Sequence, residues 1–289
     1  MVPQNKTAPM RDDRILTATR ALAAFIIPFL LAAAGILFFV GQNALEQRFA
    51  WGISPALTAA YGGAGYLSGA YFFSRVLLGR RWHRLAAGFL PVGAFAAAML
   101  AITLRHWSRF DPGHFPFQVW LALYIVTPVL LPAIWWRNKS REAQPVPAAS
   151  ATVALTVRRA MGLIGAVVAI VALVFIVRPN LAMDVWPWTL SELTARFMAA
   201  WHLLLGVGGL VLAGHSRWDA WRIAAQSILL WQTLALASMI VHRGDFLSGG
   251  LLNWYTVFVA AALLAVAILY VVMESHHFRS MESTDAEPA

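Results

Sequence analysis

The chain has 289 residues, 60% of them hydrophobic and 12% charged, whereas a soluble domain carries roughly 25% charged residues, so water is not its main solvent. Its formal charge is +9, but the basic residues fall in short segments between apolar blocks, which reads as a topology signal and excludes a nucleic-acid-binding stripe. The absence of cysteine excludes disulfides, thiolate metal sites and cysteine nucleophiles.

After a polar lead, apolar stretches run at 17–40, 55–78, 84–106, 116–136, 156–178, 191–213, 221–242 and 251–273. Each is long enough for a helix to cross roughly 30 Å of hydrocarbon. A membrane β-barrel would instead show shorter segments of alternating polarity. The lead carries Asp12 and Asp13, and the first stretch exceeds a signal-peptide core without a small-x-small site, so it is expected to be a retained span. Ser54 before Pro55 predicts an N-cap with proline at the first helical position, and Thr189 with Glu192 has capping-box spacing before the sixth stretch. Pro28, Pro91, Pro128 and Pro132 fall inside stretches, which membrane helices tolerate. Gly65 and Gly69 form a G-x-x-x-G pair in the second, which predicts close helix packing.

The second half echoes the first at offsets of about 134–138 residues: Leu57-Thr58-Ala59 returns as Leu193-Thr194-Ala195, Arg84-Leu85-Ala86-Ala87 as Arg222-Ile223-Ala224-Ala225, and Trp120 as Trp254. The expected architecture is therefore all-α and polytopic, with eight transmembrane helices as two parallel four-helix repeats. The divisions are an N-terminal tail (1–16), a first repeat (17–136), a linker (137–155) with Pro145 and Pro147, a second repeat (156–273) and a C-terminal tail (274–289). With the N-terminus inside, 16 of the 22 Lys and Arg residues fall on the inner side, so the positive-inside rule puts both termini in the cytoplasm.

The run Trp186-Pro187-Trp188 followed by Leu193-Thr194-Ala195-Arg196 resembles uncharacterised bacterial multi-pass membrane proteins, over the C-terminal third of the chain. The resemblance, with the Ala/Arg-rich composition, implies a bacterial cytoplasmic membrane and brings no activity, cofactor or site residue. In the first half Ala60 stands where Arg196 would be echoed.

Polar groups at membrane depth are expensive unless paired, so they lead the search for a site. His202 and Gln232 lie mid-stretch, and His202 falls on Tyr66 in the repeat alignment. These three residues support either a ligand- or proton-carrying site between helices or polar contacts that fasten helices together. Asp184, Glu192, Arg196, His242, Arg243, Asp245 and Asn253 fall at the outer ends of the second half, and Arg105, His106, Arg109, Asp111, His114 and Gln118 at those of the first. Such a set suits a lipid head group or acid–base chemistry. Equally, Glu192 four residues before Arg196 is the favourable order for an intrahelical ion pair. Arg75, Arg80, Arg81 and Arg84 offer anionic lipids a basic patch and serve orientation as well.

No metal or cofactor is expected. His106, Asp111 and His114, and Glu274, His276 and His277, match no metal-motif spacing, and no phosphate loop, H-E-x-x-H or G-x-S-x-G occurs. The leading expectation is a small-solute transporter or channel-like carrier with a site near mid-membrane. The alternatives are an enzyme acting on a lipid at the outer interface and a non-catalytic scaffold or assembly subunit.

Overall fold

A run of apolar side chains leaves the backbone as the main polar group of a segment, and an α-helix satisfies that backbone internally. In the computed structural model, which describes residues 13–139 and 151–285, the helices in chain order are α1 (Thr17–Phe39), α2 (Gln42–Arg48), α3 (Ala56–Leu78), α4 (Ala86–Arg105), α5 (Phe115–Lys139), α6 (Leu155–Val177), α7 (Pro179–Val185), α8 (Glu192–Ala213), α9 (Trp218–Val241) and α10 (Trp254–Asp285). Each apolar stretch coincides with a long helix. The short α2 and α7, of seven residues each, were not expected, since two turns are too brief to show a helical period.

Among the described residues seven helices are long and apolar enough to cross a membrane: α1, α4, α5, α6, α8, α9 and α10. They mark the chain as a multi-pass membrane protein by length and composition. The remaining long helix, α3, is less apolar because it carries Tyr61, Tyr66, Tyr71, Ser68, Ser74 and several glycines, and most of its residues are buried.

Four helices, α3, α4, α8 and α9, form the centre. Helix α3 packs on α1 and α9, α8 packs on α6 and α4, α5 leans on α4, and α10 leans on α9. Contacts of α3 with α8 and of α4 with α9 are lighter. One end of the bundle, here the basic end, holds the start of α1 and the turns after α3 and α8. There an isolated backbone bridge joins Arg14 to Arg81, with the Trp82 N–H donating to the Asp13 carbonyl (2.9 Å). Another joins Thr152 to Arg217, with the Trp218 N–H donating to the Ala151 carbonyl (2.9 Å). Both tryptophans are fully buried plugs over their turns. The opposite, far end holds α2, α7 and the turns after α4 and α9.

Two caps differ from expectation. Pro55 is itself the N-cap of α3 and Ser54 caps nothing; the Asp245 carboxylate, from the turn after α9, accepts from the Leu57 N–H at 2.8 Å. At α8 the capping box is formed by Ser191 and Thr194, two residues beyond the expected pair. That leaves Glu192 in the first turn, where its carboxylate meets Arg196.

The close backbone approach predicted at Gly65 and Gly69 lies elsewhere. Helices α6 and α8 touch through Gly165, Gly206 and Gly209: a methyl on Gly206 would stand 2.5 Å from the Ala169 backbone nitrogen, and one on Gly165 would stand 2.8 Å from the Gly206 carbonyl oxygen. On α3, Gly65 instead admits the Trp201 ring, and Gly69 meets only the Leu30 side chain at 3.5 Å.

Candidate functional site

Helices α3 and α4 are joined by a short turn, yet aromatic side chains fill the space between them. Gly65 makes room for the Trp201 ring and Gly88 for the Phe72 ring, because neither carries a β-carbon to block it. Phe95 lies against Trp201 with ring centroids 4.2 Å apart, and Trp201 meets Trp231 at 5.0 Å. Large flat rings cannot close every gap between six helices. They leave a cavity of about 190 Å³ walled by α1, α3, α4, α5, α8 and α9.

The wall is almost wholly apolar, and among the described residues no charged side chain belongs to it. Its hydroxyls come from Ser68, Tyr66, Tyr124, Thr127 and Ser227. Ser68 donates to the Ser227 carbonyl, Ser227 to the Ile223 carbonyl and Thr127 to the Leu123 carbonyl, so these three donors are spent on backbone. The Tyr66 and Tyr124 hydroxyls are 3.1 Å apart and bond each other.

On the side of α1 and α5 the wall is made by Phe29, Leu30 and Leu123, all half-buried. Those two helices are clasped at their ends. At the basic end the Asn138 amide donates to Thr19 Oγ1 at 2.7 Å and accepts from the Leu16 N–H at 3.2 Å. At the far end His114 Nε2 lies 3.1 Å from the Phe49 carbonyl oxygen, joining the segment before α5 to the end of α2.

His202, Gln232 and Tyr66 do not converge on one another. His202 donates from Nδ1 to the Met198 carbonyl at 2.8 Å, and its Nε2 lies 3.0 Å from the Tyr255 hydroxyl. Tyr255 donates to the Tyr61 hydroxyl at 2.8 Å, so His202 ends a buried polar chain that links α8, α10 and α3. Trp186 and Trp188 cover it, and Trp188 Nε1 donates to Thr58 Oγ1 at 2.8 Å. Among the described residues the buried Oε1 of Gln232 has no hydrogen-bond partner.

The far-end polar residues have separate partners. Arg196 is 2% exposed although charged, and the reason is its partner set: Nε donates to the Ile176 carbonyl at 2.9 Å, while Nη1 donates to Glu192 at 3.0 Å and to His106 Nε2 at 2.8 Å. Ile176 belongs to the last turn of α6, so Arg196 supplies a donor to a helix end that lacks intrahelical partners and favours a cation. Because arginine only donates, His106 accepts and is neutral. Burial and then the Arg196 charge hold His106 below its ordinary value. Asp245 caps α3 as described, and Asn253 accepts from the N–H groups of Tyr255 and Thr256 at the start of α10. Asp184 and Arg243 are exposed, and His242 closes the end of α9.

At the basic end Arg75, Arg80, Arg81 and Arg84 are exposed, and Arg84 lies 3.6 Å from Asp219. Sequence reasoning passed over the neighbouring group. His83 Nδ1 lies 2.5 Å from the Asp13 carboxylate, and its Nε2 lies 3.9 Å from that of Asp219, at the start of α9. Burial alone would push His83 down, but the two carboxylates outweigh it and raise His83 to about 9. The cavity residues Tyr124, Trp201 and Trp231 were also passed over, since aromatic residues inside an apolar stretch read as packing. Among the described residues no group of three or more His, Asp or Glu could hold a metal ion.

No family model, no curated protein and no solved structure matches the chain.

Proposed function

We propose that the chain is an eight-span membrane protein that takes a small apolar molecule from the bilayer into its central cavity, which narrows the expected carrier to one with lipid-soluble cargo. The observation that carries this reading is the apolar cavity of about 190 Å³ between six helices, and in this proposal the molecule enters between α1 and α5. For scale, an apolar cavity of about 150 Å³ stays dry and takes up benzene. An ion or sugar entering this wall would lose its hydration without compensating charges or hydrogen bonds.

The rest of the architecture supports the same reading. In this proposal α3 is the eighth span, its polar side chains hidden at the centre of the bundle. The halves are parallel repeats: pairing α1 with α6, α3 with α8, α4 with α9 and α5 with α10 carries the α1–α3 contact onto α6–α8, α4–α5 onto α9–α10, and α3–α9 onto α8–α4. The bridges Arg14–Arg81 and Thr152–Arg217 correspond at offsets of 152 − 14 = 138 and 217 − 81 = 136. A two-fold relation of this kind places a site between the halves. The excess of Lys and Arg at the basic end orients it to the cytoplasm of a bacterial membrane, where exposed Arg75, Arg80 and Arg81 suit anionic lipids.

Photolabelling tests the reading. A hydrocarbon probe carrying a diazirine, added to the protein in nanodiscs, is expected to label peptides of the cavity wall around Phe95 and Leu204 saturably, with unlabelled hydrocarbon competing. Gly208→Leu, which points new bulk at a position where only Pro91 stands within 4 Å, is expected to abolish that labelling. Adducts confined to the exposed faces of α6 and α10, and unaffected by competitor, would sink the proposal.

A further inference from the structure

The polar groups in the cavity wall define what kind of apolar molecule it takes. Two tyrosine hydroxyls that bond each other use one proton between them, because each hydroxyl carries one. Tyr66 and Tyr124 are such a pair, buried at 4% and 8% exposure, and the second proton has no acceptor among the described residues. Trp201 and Trp231, 3% and 4% exposed, also stand in the wall, and neither indole N–H has an acceptor among the described residues. The wall thus holds up to three buried donors without acceptors, whereas its serine and threonine donors are spent on backbone carbonyls.

A buried donor left unmade is unfavourable by about 1–3 kcal/mol, so a ligand offering acceptors gains what the empty protein forgoes. With no charged residue in the wall, that ligand is neutral. Its acceptors sit on a flat group, because the surrounding side chains Phe95, Trp120, Tyr66, Tyr124, Trp201 and Trp231 offer aromatic faces and edges. Its remainder is apolar, because the α1 and α5 side of the wall is made by Phe29, Leu30 and Leu123.

We infer that the cavity binds the ring of a quinone-class lipid, with the ring carbonyls accepting from the Tyr66–Tyr124 pair and the neighbouring indoles, and the hydrocarbon tail lying in the gap between α1 and α5. This rests on the proposed uptake of apolar molecules into the same cavity. A ring of this size matches the volume, and it offers acceptors and no donors, as the wall requires. Its reduced, hydroxyl-bearing form offers donors to a site already rich in them and binds less well.

The test is competition against the diazirine hydrocarbon, using decylubiquinone, its quinol and decylbenzene, which shares the tail and lacks the oxygens. In the wild-type protein the quinone is expected to displace the probe about tenfold better than decylbenzene, and better than the quinol, as one or two hydrogen bonds would give. The advantage is expected to fall in the double variant Tyr66→Phe/Tyr124→Phe, which leaves only the indole donors of Trp201 and Trp231. It is expected to persist in each single variant, because the remaining tyrosine keeps a proton to donate. The single variants also control for folding, since each breaks the same tyrosine–tyrosine bond. Equal competition by quinone and decylbenzene in the wild type, with saturable labelling intact, would overturn the quinone assignment and leave the uptake reading standing. An absence of saturable labelling would overturn both.

Discussion

Where α6 crosses α8 the two backbones touch, whereas where α1 crosses α3 side chains hold them apart. A methyl on Gly206 would meet the Ala169 backbone at 2.5 Å; one on Gly63 would meet the Phe38 and Leu37 side chains at 3.2 and 3.3 Å, and one on Gly69 the Leu30 side chain at 3.5 Å. Backbone contact has no rotamer with which to yield, but side-chain contact does. Both helices of the pair spaced by side chains line the cavity, through Leu30 and Gly69 among others, whereas of the other pair only α8 does. The lesson is that two helix pairs in one bundle differ in kind, one a fixed frame and the other an adaptable wall.

Gly206→Leu drives a side chain into the α6 backbone and is expected to destabilise the protein by at least about 3 kcal/mol, the upper range for overpacking a tight site. Thermal unfolding in detergent would show it, and a near-normal midpoint would mean that α6 and α8 are free to slide. Next in size is Arg196→Leu, which removes the donor from the last turn of α6 and from His106. About 2.5 kcal/mol is expected, because a buried carbonyl and a ring nitrogen lose charge-assisted bonds together. Faster hydrogen exchange should then appear first at the end of α6; uniform exchange along the chain would argue that Arg196 does not fasten that end.

The long helices were legible because a membrane span announces itself by length and apolarity. What was hidden depended on partners far away in sequence. The four-residue spacing from Glu192 disclosed one partner of Arg196, but neither the Ile176 carbonyl nor His106 is visible from the pattern. His202 stood out as a lone polar residue in an apolar run, while nothing in the pattern marks Tyr255, its contact 53 positions on. The cavity was the least legible feature of all. A void is made by what six helices fail to fill, and Trp201 or Tyr124 contributes to it with the same letters it would contribute to a solid core.

A smaller effect tests the turn that ends the adaptable half. His83 joins Asp13, before α1, to the start of α9. Its folded value of about 9 lies above the ordinary 6.5, so the contribution is complete below 6.5 and is lost as pH rises through 9. His83→Gln is accordingly expected to lower stability by about 1.5 kcal/mol at pH 6, the size of a hydrogen bond to a charged group. Wild type and variant should converge by pH 10. A difference that stays constant with pH would assign the loss to packing around Trp82 instead.

The smallest prediction has the opposite sign and bears most directly on the comparison. Gly69→Ala places a methyl at ordinary contact distance from a leucine that can turn aside, in the interior of a helix where glycine is less favourable than alanine. The variant is expected to gain about 0.5 kcal/mol, although the same change at Gly206, made against backbone, is expected to destabilise. If Gly69→Ala also destabilised the protein, α1 and α3 would be as rigidly seated as α6 and α8. The cavity would then be a fixed void between two fixed frames, and entry between α1 and α5 would need both helices to move as bodies, not side chains to turn.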